Sequence, residues 1–188
     1  MPITLNGSGT VSGISAGGLP DGIIQSADLA TGVGGKVLQV LSVFKDDVFS
    51  TTGSTGNFAD ITGLSVAITP SATTNKILIQ FQSCFSTGGG DRGSFRMLRD
   101  STVINEHGVS GNTNGIFASL RTGDNLNAIP VAGVHLDSPS TTSATTYKLQ
   151  VGAEASAGDV YVNRPANSYT GSTFYRGVSN LVVMEIAA

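Results

Sequence analysis

Residues 76–86 read Lys76-Ile77-Leu78-Ile79-Gln80-Phe81-Gln82-Ser83-Cys84-Phe85-Ser86, the most regular pattern in the chain. Four apolar side chains fall at alternate positions on one face, at Ile77, Ile79, Phe81 and Phe85. The glutamines at 80 and 82 fall on the other face. Because successive side chains of a β-strand point to opposite faces, this alternation predicts an antiparallel strand with one buried and one wet face.

Similar short apolar runs continue from residue 36 to the end of the chain. Strands are predicted at residues 36–44, 64–69, 77–85, 94–99, 116–120, 131–136, 147–151, 160–162 and 181–186. Turn residues separate the runs, and helical periodicity is nearly absent. This spacing predicts an all-β fold, an antiparallel jelly-roll-like β-sandwich.

Residues 1–35 differ in composition from the rest of the chain. Their apolar residues are isolated and separated by glycines, as at Ile3, Leu5, Val11 and Ile14. A segment with so little apolar surface does not bury itself and needs another chain to lie on. We therefore predict an extended N-terminal arm at residues 1–35, used for attachment and oligomerisation, and a β-sandwich domain at residues 36–188.

Composition excludes several classes of protein. Charged residues make up only 12% of the chain, hydrophobic residues make up 39%, and the net charge is -3. These values do not suit a disordered chain, and a pI near 5.1 with scattered basic residues does not suit nucleic-acid binding. No run approaches the roughly 20 apolar residues of a membrane-spanning helix. We expect a protein folded in a cytoplasm and built into a larger assembly.

Two predicted strands, residues 36–44 and 181–186, are apolar on both faces. Such strands need cover on both sides. A second sheet covers one side, and a neighbouring subunit is expected to cover the other. This pattern predicts a closed homo-oligomer, a trimer.

The chain offers little for catalysis or metal binding. Its two histidines are His107 and His135, and a triad of His135, Asp137 and a serine lacks the G-x-S-x-G nucleophile turn. Glu106 and His107 are adjacent, so they point apart in an extended segment. We expect no catalytic residue, no cofactor and no metal ligand, although a structural ion on an oligomer axis stays open.

Two further residues stand out within predicted strands. Glu185 lies between Met184 and Ile186; we favour a solvent-facing carboxylate over an inter-subunit bond to Arg96 or Arg99. Cys84 falls on the polar side of its strand by alternation. It is interpreted as a half-buried small residue or as part of a second apolar interface.

Binding is the most plausible chemistry, and residues 163–177 carry it. Aromatic, amide and guanidinium groups suited to a sugar or protein surface are concentrated there, at Arg164, Asn167, Tyr169, Phe174, Tyr175 and Arg176. The alternative is that Phe174 and Tyr175 fill a sheet edge. Residues 87–93 and 105–115 are further candidate contact loops.

Several stretches resemble structural proteins of cyanophages and other marine phages. They are Ile3-Thr4-Leu5-Asn6-Gly7-Ser8-Gly9-Thr10, Gly17-Gly18-Leu19-Pro20-Asp21-Gly22, residues 61–70, Phe95-Arg96-Met97-Leu98-Arg99-Asp100, Leu136-Asp137-Ser138-Pro139 and Val183-Met184-Glu185-Ile186-Ala187-Ala188. The resemblance implies a β-rich, usually trimeric virion protein whose arm attaches to the particle.

Three functions follow as hypotheses. The first is a non-enzymatic, tail-fibre-like protein that binds a host-surface glycan or protein. The second is a capsid decoration protein that stabilises the phage head. The third and most distant is a carbohydrate-active enzyme, disfavoured because no acidic pair stands out.

Overall fold

A computed structural model describes most of the chain beyond its first 35 residues. The described residues are 36–53, 56–88, 92–104, 118–123, 125–154, 158–167 and 176–188. Residues 37–188 form one compact unit. The predicted arm, residues 1–35, lies outside the described residues and stays a prediction.

The described residues contain β-strands and no helix. The strands are β1 (Val37–Lys45), β2 (Phe49–Gly53), β3 (Phe58–Ile68), β4 (Lys76–Thr87), β5 (Arg92–Arg99), β6 (Thr102–Ile104), β7 (Ala118–Arg121), β8 (Ile129–Asp137), β9 (Thr145–Ala153), β10 (Gly158–Val162) and β11 (Ser179–Ile186). All pairings are antiparallel and form two sheets. The predicted antiparallel β-sandwich is confirmed.

Sheet I contains β1, β2, β4, β8, β10 and β11. Strands β11 and β10 lie in line along one edge of β4, and β1 and β2 lie in line beyond them. Strand β8 pairs with the other edge of β4. The sheet is therefore four strand positions wide, with β1 and β8 at its outer edges.

Sheet II contains β3, β9, β5, β6 and β7. Strands β6 and β7 lie in line along the free edge of β5, so this sheet is also four positions wide. Apart from the β5–β6 hairpin and the in-line segments, each connection crosses to the other sheet. Two sheets joined in this way have the strand order of a jelly roll.

One apolar core fills the space between the sheets. Sheet I contributes Ile77, Ile79, Phe81 and Phe85, as the alternation predicts, and sheet II contributes Tyr147, Leu149 and Val151. The Phe85 and Phe95 rings meet edge to face across the core at 5.0 Å. A Cβ on Gly93 would lie 2.2 Å from Cζ of Phe85, so this position has room only for glycine.

Three segments of strand were missed by sequence patterns. Strand β2 is mostly hydroxyl residues, and β6 has only three residues. In β3 the register shifts between Asp60 and Ser65, where Gly63 has a φ of +85°. That irregularity breaks the alternation, so only the second half of β3 was predicted. Of the predicted strand at residues 116–120, the structure describes residues 118–120, which belong to β7.

Candidate functional site

The segment between β10 and β11 leaves and re-enters sheet I at one point. Strands β10 and β11 lie in line, and the Gly177 amide donates to the Asn163 carbonyl at 3.1 Å. Residues 164–176 are therefore an insertion into one strand position of the sheet. This insertion contains the whole set of binding residues predicted from the sequence.

Asn163 closes the base of the insertion. It is fully buried and has a φ of +64°, a left-handed conformation that asparagine tolerates better than most residues. Its side-chain amide donates to the carbonyls of Lys45 and Asp47 at 3.0 and 2.9 Å. Its Oδ1 accepts from Ser179 Oγ at 2.6 Å. Since every polar group is used, the base is tied to β1 and β11 independently of the insertion's own sequence.

Cys84 lies directly beneath the returning end of the insertion. The thiol is half-buried and on the outward face of β4, and burial raises its pKa. A Cβ on Gly177 would lie 2.3 Å from Cβ of Cys84, so the chain crosses Cys84 in close contact. Of the two interpretations of Cys84, the structure supports a small, half-buried packing residue.

The structure describes three of the six predicted binding residues. The Arg164 guanidinium stacks on the Tyr161 ring, 4.2 Å from its centroid, and the Arg164 carbonyl accepts from Ser86 Oγ at 2.8 Å. The Asn167 amide donates to the Asn125 carbonyl at 2.8 Å, in the β7–β8 connection. Arg176 is exposed. Tyr169, Phe174 and Tyr175 lie outside the described residues.

Tyr161, on which Arg164 stacks, and Asp159 were not among the predicted binding residues. Both side chains are on the outward face of β10, where the Tyr161 hydroxyl donates to Asp159 Oδ2 at 3.0 Å. Thr52 donates to the other carboxylate oxygen. Burial and the bond to Asp159 raise the pKa of Tyr161. The alternation with buried Val160 and Val162 would have identified both positions as outward-facing.

Three rows of side chains on the outward face of sheet I are apolar or uncharged polar. Register aligns Val40, Met184, Leu78 and Leu136 in one row across four strands. A second row holds Ser42, Val182, Gln80 and Val134, and a third holds Phe44, Asn180, Gln82 and Ala132. Directly opposed residues share a face, so the three rows form one surface. None of these described positions carries a charge.

An open hollow of about 530 Å³ lies in this surface. It is lined by Gln80, Phe81, Gln82, Ala132, Gly133, Val134, Asn180 and Val182. The hollow exists because Ala132 and Gly133 fill little of the space between larger neighbours. Amide and apolar groups line it, which suits an uncharged occupant.

Glu185 differs from its prediction. It faces the core and is 1% exposed. One oxygen accepts from Asn75 Nδ2, Ser71 N and Ser71 Oγ at 2.6, 2.6 and 2.8 Å, and the other from Gln39 Nε2 at 2.6 Å. Burial raises its pKa, but these hydrogen bonds outweigh burial and lower the pKa to about 2. The solvent-facing interpretation is wrong because β11 is covered by the β3–β4 connection.

Asp137, weighed above as a triad member beside His135, belongs to a buried hydrogen-bond network. Asp137 is buried and accepts from Arg99 Nη1 at 3.0 and 2.9 Å and from the Tyr147 hydroxyl at 2.7 Å. Burial and this bond raise the pKa of Tyr147 well above its ordinary value. Both Asp137 oxygens are thus engaged in a structural network, and Arg99 pairs with Asp137 rather than with Glu185.

The described part of the chain contains neither a metal-ligand group nor a membrane-spanning helix. No group of three histidine, cysteine or carboxylate side chains there is placed to hold a metal ion. The same residues include no helix long and apolar enough to cross a membrane. Glu106 and His107 lie outside the described residues.

Comparison with known proteins shows a distant structural similarity. No family model matches the sequence, and no curated protein matches it. Among solved structures, the chain is similar to one in a structure of infectious bursal disease virus, Gx strain, with 19% identity and a TM-score of 0.38. The match covers 80% of this chain and 37% of that chain.

Proposed function

We propose that this chain is a non-enzymatic structural protein of a bacteriophage particle, tail-fibre-like, that presents the 164–176 insertion to a host-surface glycan or protein. Residues 1–35 would attach it to other virion proteins, and copies of the chain would associate, as a homotrimer. The resemblance of its sequence to cyanophage structural proteins supports the class. The stacked Arg164 and the exposed Arg176 support binding by the insertion.

The buried base of the insertion is the observation that carries this proposal. Asn163, Ser179 and Ser83 form a hydrogen-bonded chain within sheet I, with Ser83 and Ser179 2.9 Å apart. Because the base is closed by these residues, the insertion can change without disturbing the core. A rigid scaffold that carries a separately variable loop is the usual arrangement of binding proteins.

Substitution of the insertion's arginines tests the proposal. Arg164→Ala with Arg176→Ala should reduce adsorption of phage particles to host cells by about tenfold or more, as loss of binding hot spots does. The matched control is Arg92→Ala with Arg121→Ala, on paired positions of sheet II. Normal adsorption by the first variant, with a folded protein and normal particle incorporation, would contradict the proposal.

Capsid decoration is the second candidate, and the three uncharged rows on the outward face of sheet I favour it. Such a surface suits continuous contact with a capsid shell better than exposure to solvent. Immunogold electron microscopy of intact particles separates the candidates. Gold confined to the tail or one vertex would support the fibre, and gold over the whole head would support decoration.

A further inference from the structure

Arg164, the first residue of the insertion, is held at three points. Its carbonyl accepts from the buried Ser86 Oγ of β4 at 2.8 Å. Its guanidinium lies over the Tyr161 ring of β10, 4.2 Å from the ring centroid. Buried Pro165 follows it, and a proline restricts the preceding residue to extended backbone. The half-buried arginine is therefore positioned by the scaffold.

The carboxylate of the same cluster, Asp159, is engaged by other groups. The Tyr161 hydroxyl donates to its Oδ2 at 3.0 Å, and the Thr52 hydroxyl donates to its Oδ1 at 2.5 Å. Among the described residues, no ion pair or side-chain hydrogen bond involves the Arg164 guanidinium. A ring under a guanidinium occupies its face and not its N–H edge. The described residues thus leave that edge for another acceptor.

Arg176 brings a second positive charge to the same end of the insertion. It is exposed and directly precedes Gly177, as Arg164 directly follows Asn163. Because the Gly177 amide donates to the Asn163 carbonyl at 3.1 Å, the two arginines are the first and last residues of a closed loop. Two positive charges at the mouth of one loop attract an anion to a chain whose net charge is -3.

We propose that Arg164 binds an oxyanion of a host-surface glycan, a carboxylate or phosphate group, with Tyr161 as the platform that positions it. The N–H edge of a guanidinium presents two parallel donors, which match two oxygens of either group. Such charge-assisted bonds are stronger than bonds to neutral hydroxyls, so an acidic sugar is favoured over a neutral one. Exposed Asn167 adds an amide suited to sugar hydroxyls. The inference rests on the proposed function and names the class of ligand.

Surface polysaccharide purified from the host tests the ligand class with the full-length chain. Biolayer interferometry compares the native, carboxyl-reduced and dephosphorylated forms of this polysaccharide. Loss of binding on carboxyl reduction identifies a carboxylate, and loss on dephosphorylation identifies a phosphate. Added salt should weaken binding to the native form, because the contact is ionic and partly exposed. Equal binding to all three forms would overturn the inference.

Two substitutions separate the charge from its platform. Arg164→Gln removes the charge and keeps an amide, so binding to native polysaccharide should weaken about 10- to 100-fold. Tyr161→Leu removes the ring, and binding should weaken about two- to fivefold, as loss of an exposed cation–π contact predicts. Neither should change residual binding to the form that lacks the anion. The matched control is Arg121→Gln, an exposed arginine of sheet II that should bind as wild type does.

The outcomes distinguish this inference from the proposed function. Undiminished binding by Arg164→Gln, or an equal loss in Arg121→Gln, would overturn the inference. If the wild-type chain does not bind the polysaccharide while Arg164→Ala with Arg176→Ala still reduces adsorption, the receptor is a protein; the inference then fails and the proposed function stands. If adsorption is also unaffected, both fail. Circular dichroism checks that each variant is folded.

Discussion

The outward faces of the two sheets of this sandwich are built differently. On sheet II, the Arg96 guanidinium lies over the Phe58 ring at 4.0 Å and donates to Gln150 at 2.7 Å. Asp60 accepts from Lys148 and Gln150 at 2.7 and 2.6 Å. On sheet I, the three rows of outward side chains described above carry only apolar and uncharged polar groups. Sheet II thus has a surface suited to water, and sheet I has one suited to a partner.

The two sheets share one core, yet their outward faces differ in chemistry. Both sheets bury regular apolar rows against each other, and both are four positions wide. Only the outward alternate positions differ, and these are the positions that folding leaves unconstrained. The difference between the faces is therefore where assembly is specified.

The largest expected effect comes from placing the same charge on each face. Val182→Glu adds a carboxylate at the hollow of sheet I, and Ser65→Glu adds one at an exposed position of sheet II. We expect Val182→Glu to abolish self-association, at a cost of about 3–5 kcal/mol for a buried unpaired charge. Ser65→Glu should leave it intact. Analytical ultracentrifugation measures both, and equal behaviour of the two variants would remove the distinction.

The second-largest expected effect is on the free energy of unfolding, and it contrasts buried Glu185 with partly exposed Asp60. Glu185 has a folded-state pKa of about 2 against an ordinary value of 4.5. A lowered pKa stabilises the folded state above the unfolded value, by about 3 kcal/mol for Glu185 at neutral pH. That stability disappears as the pH falls from about 4.5 through about 2. Chemical denaturation across this range should show the loss in wild type.

The Glu185→Gln variant isolates this contribution. Its free energy of unfolding should be lower than that of wild type at neutral pH, and the two should converge near pH 2. Asp60→Asn is the control on sheet II, where the carboxylate is half exposed to solvent. If Glu185→Gln followed the wild-type pH profile without convergence, the hydrogen bonds from Ser71, Asn75 and Gln39 would not be the source of the stability.

Sequence patterns predicted the parts of the fold that repeat locally. The alternation at residues 77–85 and 147–151 predicted strands because each inward position meets the same core. The partners of Glu185, and the Lys45 and Asp47 carbonyls that accept from Asn163, could not be predicted because they come from segments more than 100 residues away in the chain. Only the three-dimensional arrangement brings Ser71 and Asn75 onto β11.

The candidate site was predicted in part for the same reason. Arg164 and Asn167 were identified by residue type, and the structure places them on the insertion as expected. Tyr161, on which Arg164 stacks, belongs to a strand and carried no signal beyond alternation. The closed base at Asn163 needs contacts from β1 and β11, which no local pattern encodes.

The smallest expected effect lies in the ion pair of sheet II. Lys148 and Asp60 are partly exposed, and the bond from Lys148 lowers the pKa of Asp60. Exposed pairs of this kind contribute about 0.2–1 kcal/mol and are screened by salt. Lys148→Met should therefore lower the unfolding free energy slightly at low salt and hardly at all at high salt. A larger, salt-independent loss would mean that sheet II, like sheet I, depends on its outward face for more than contact with water.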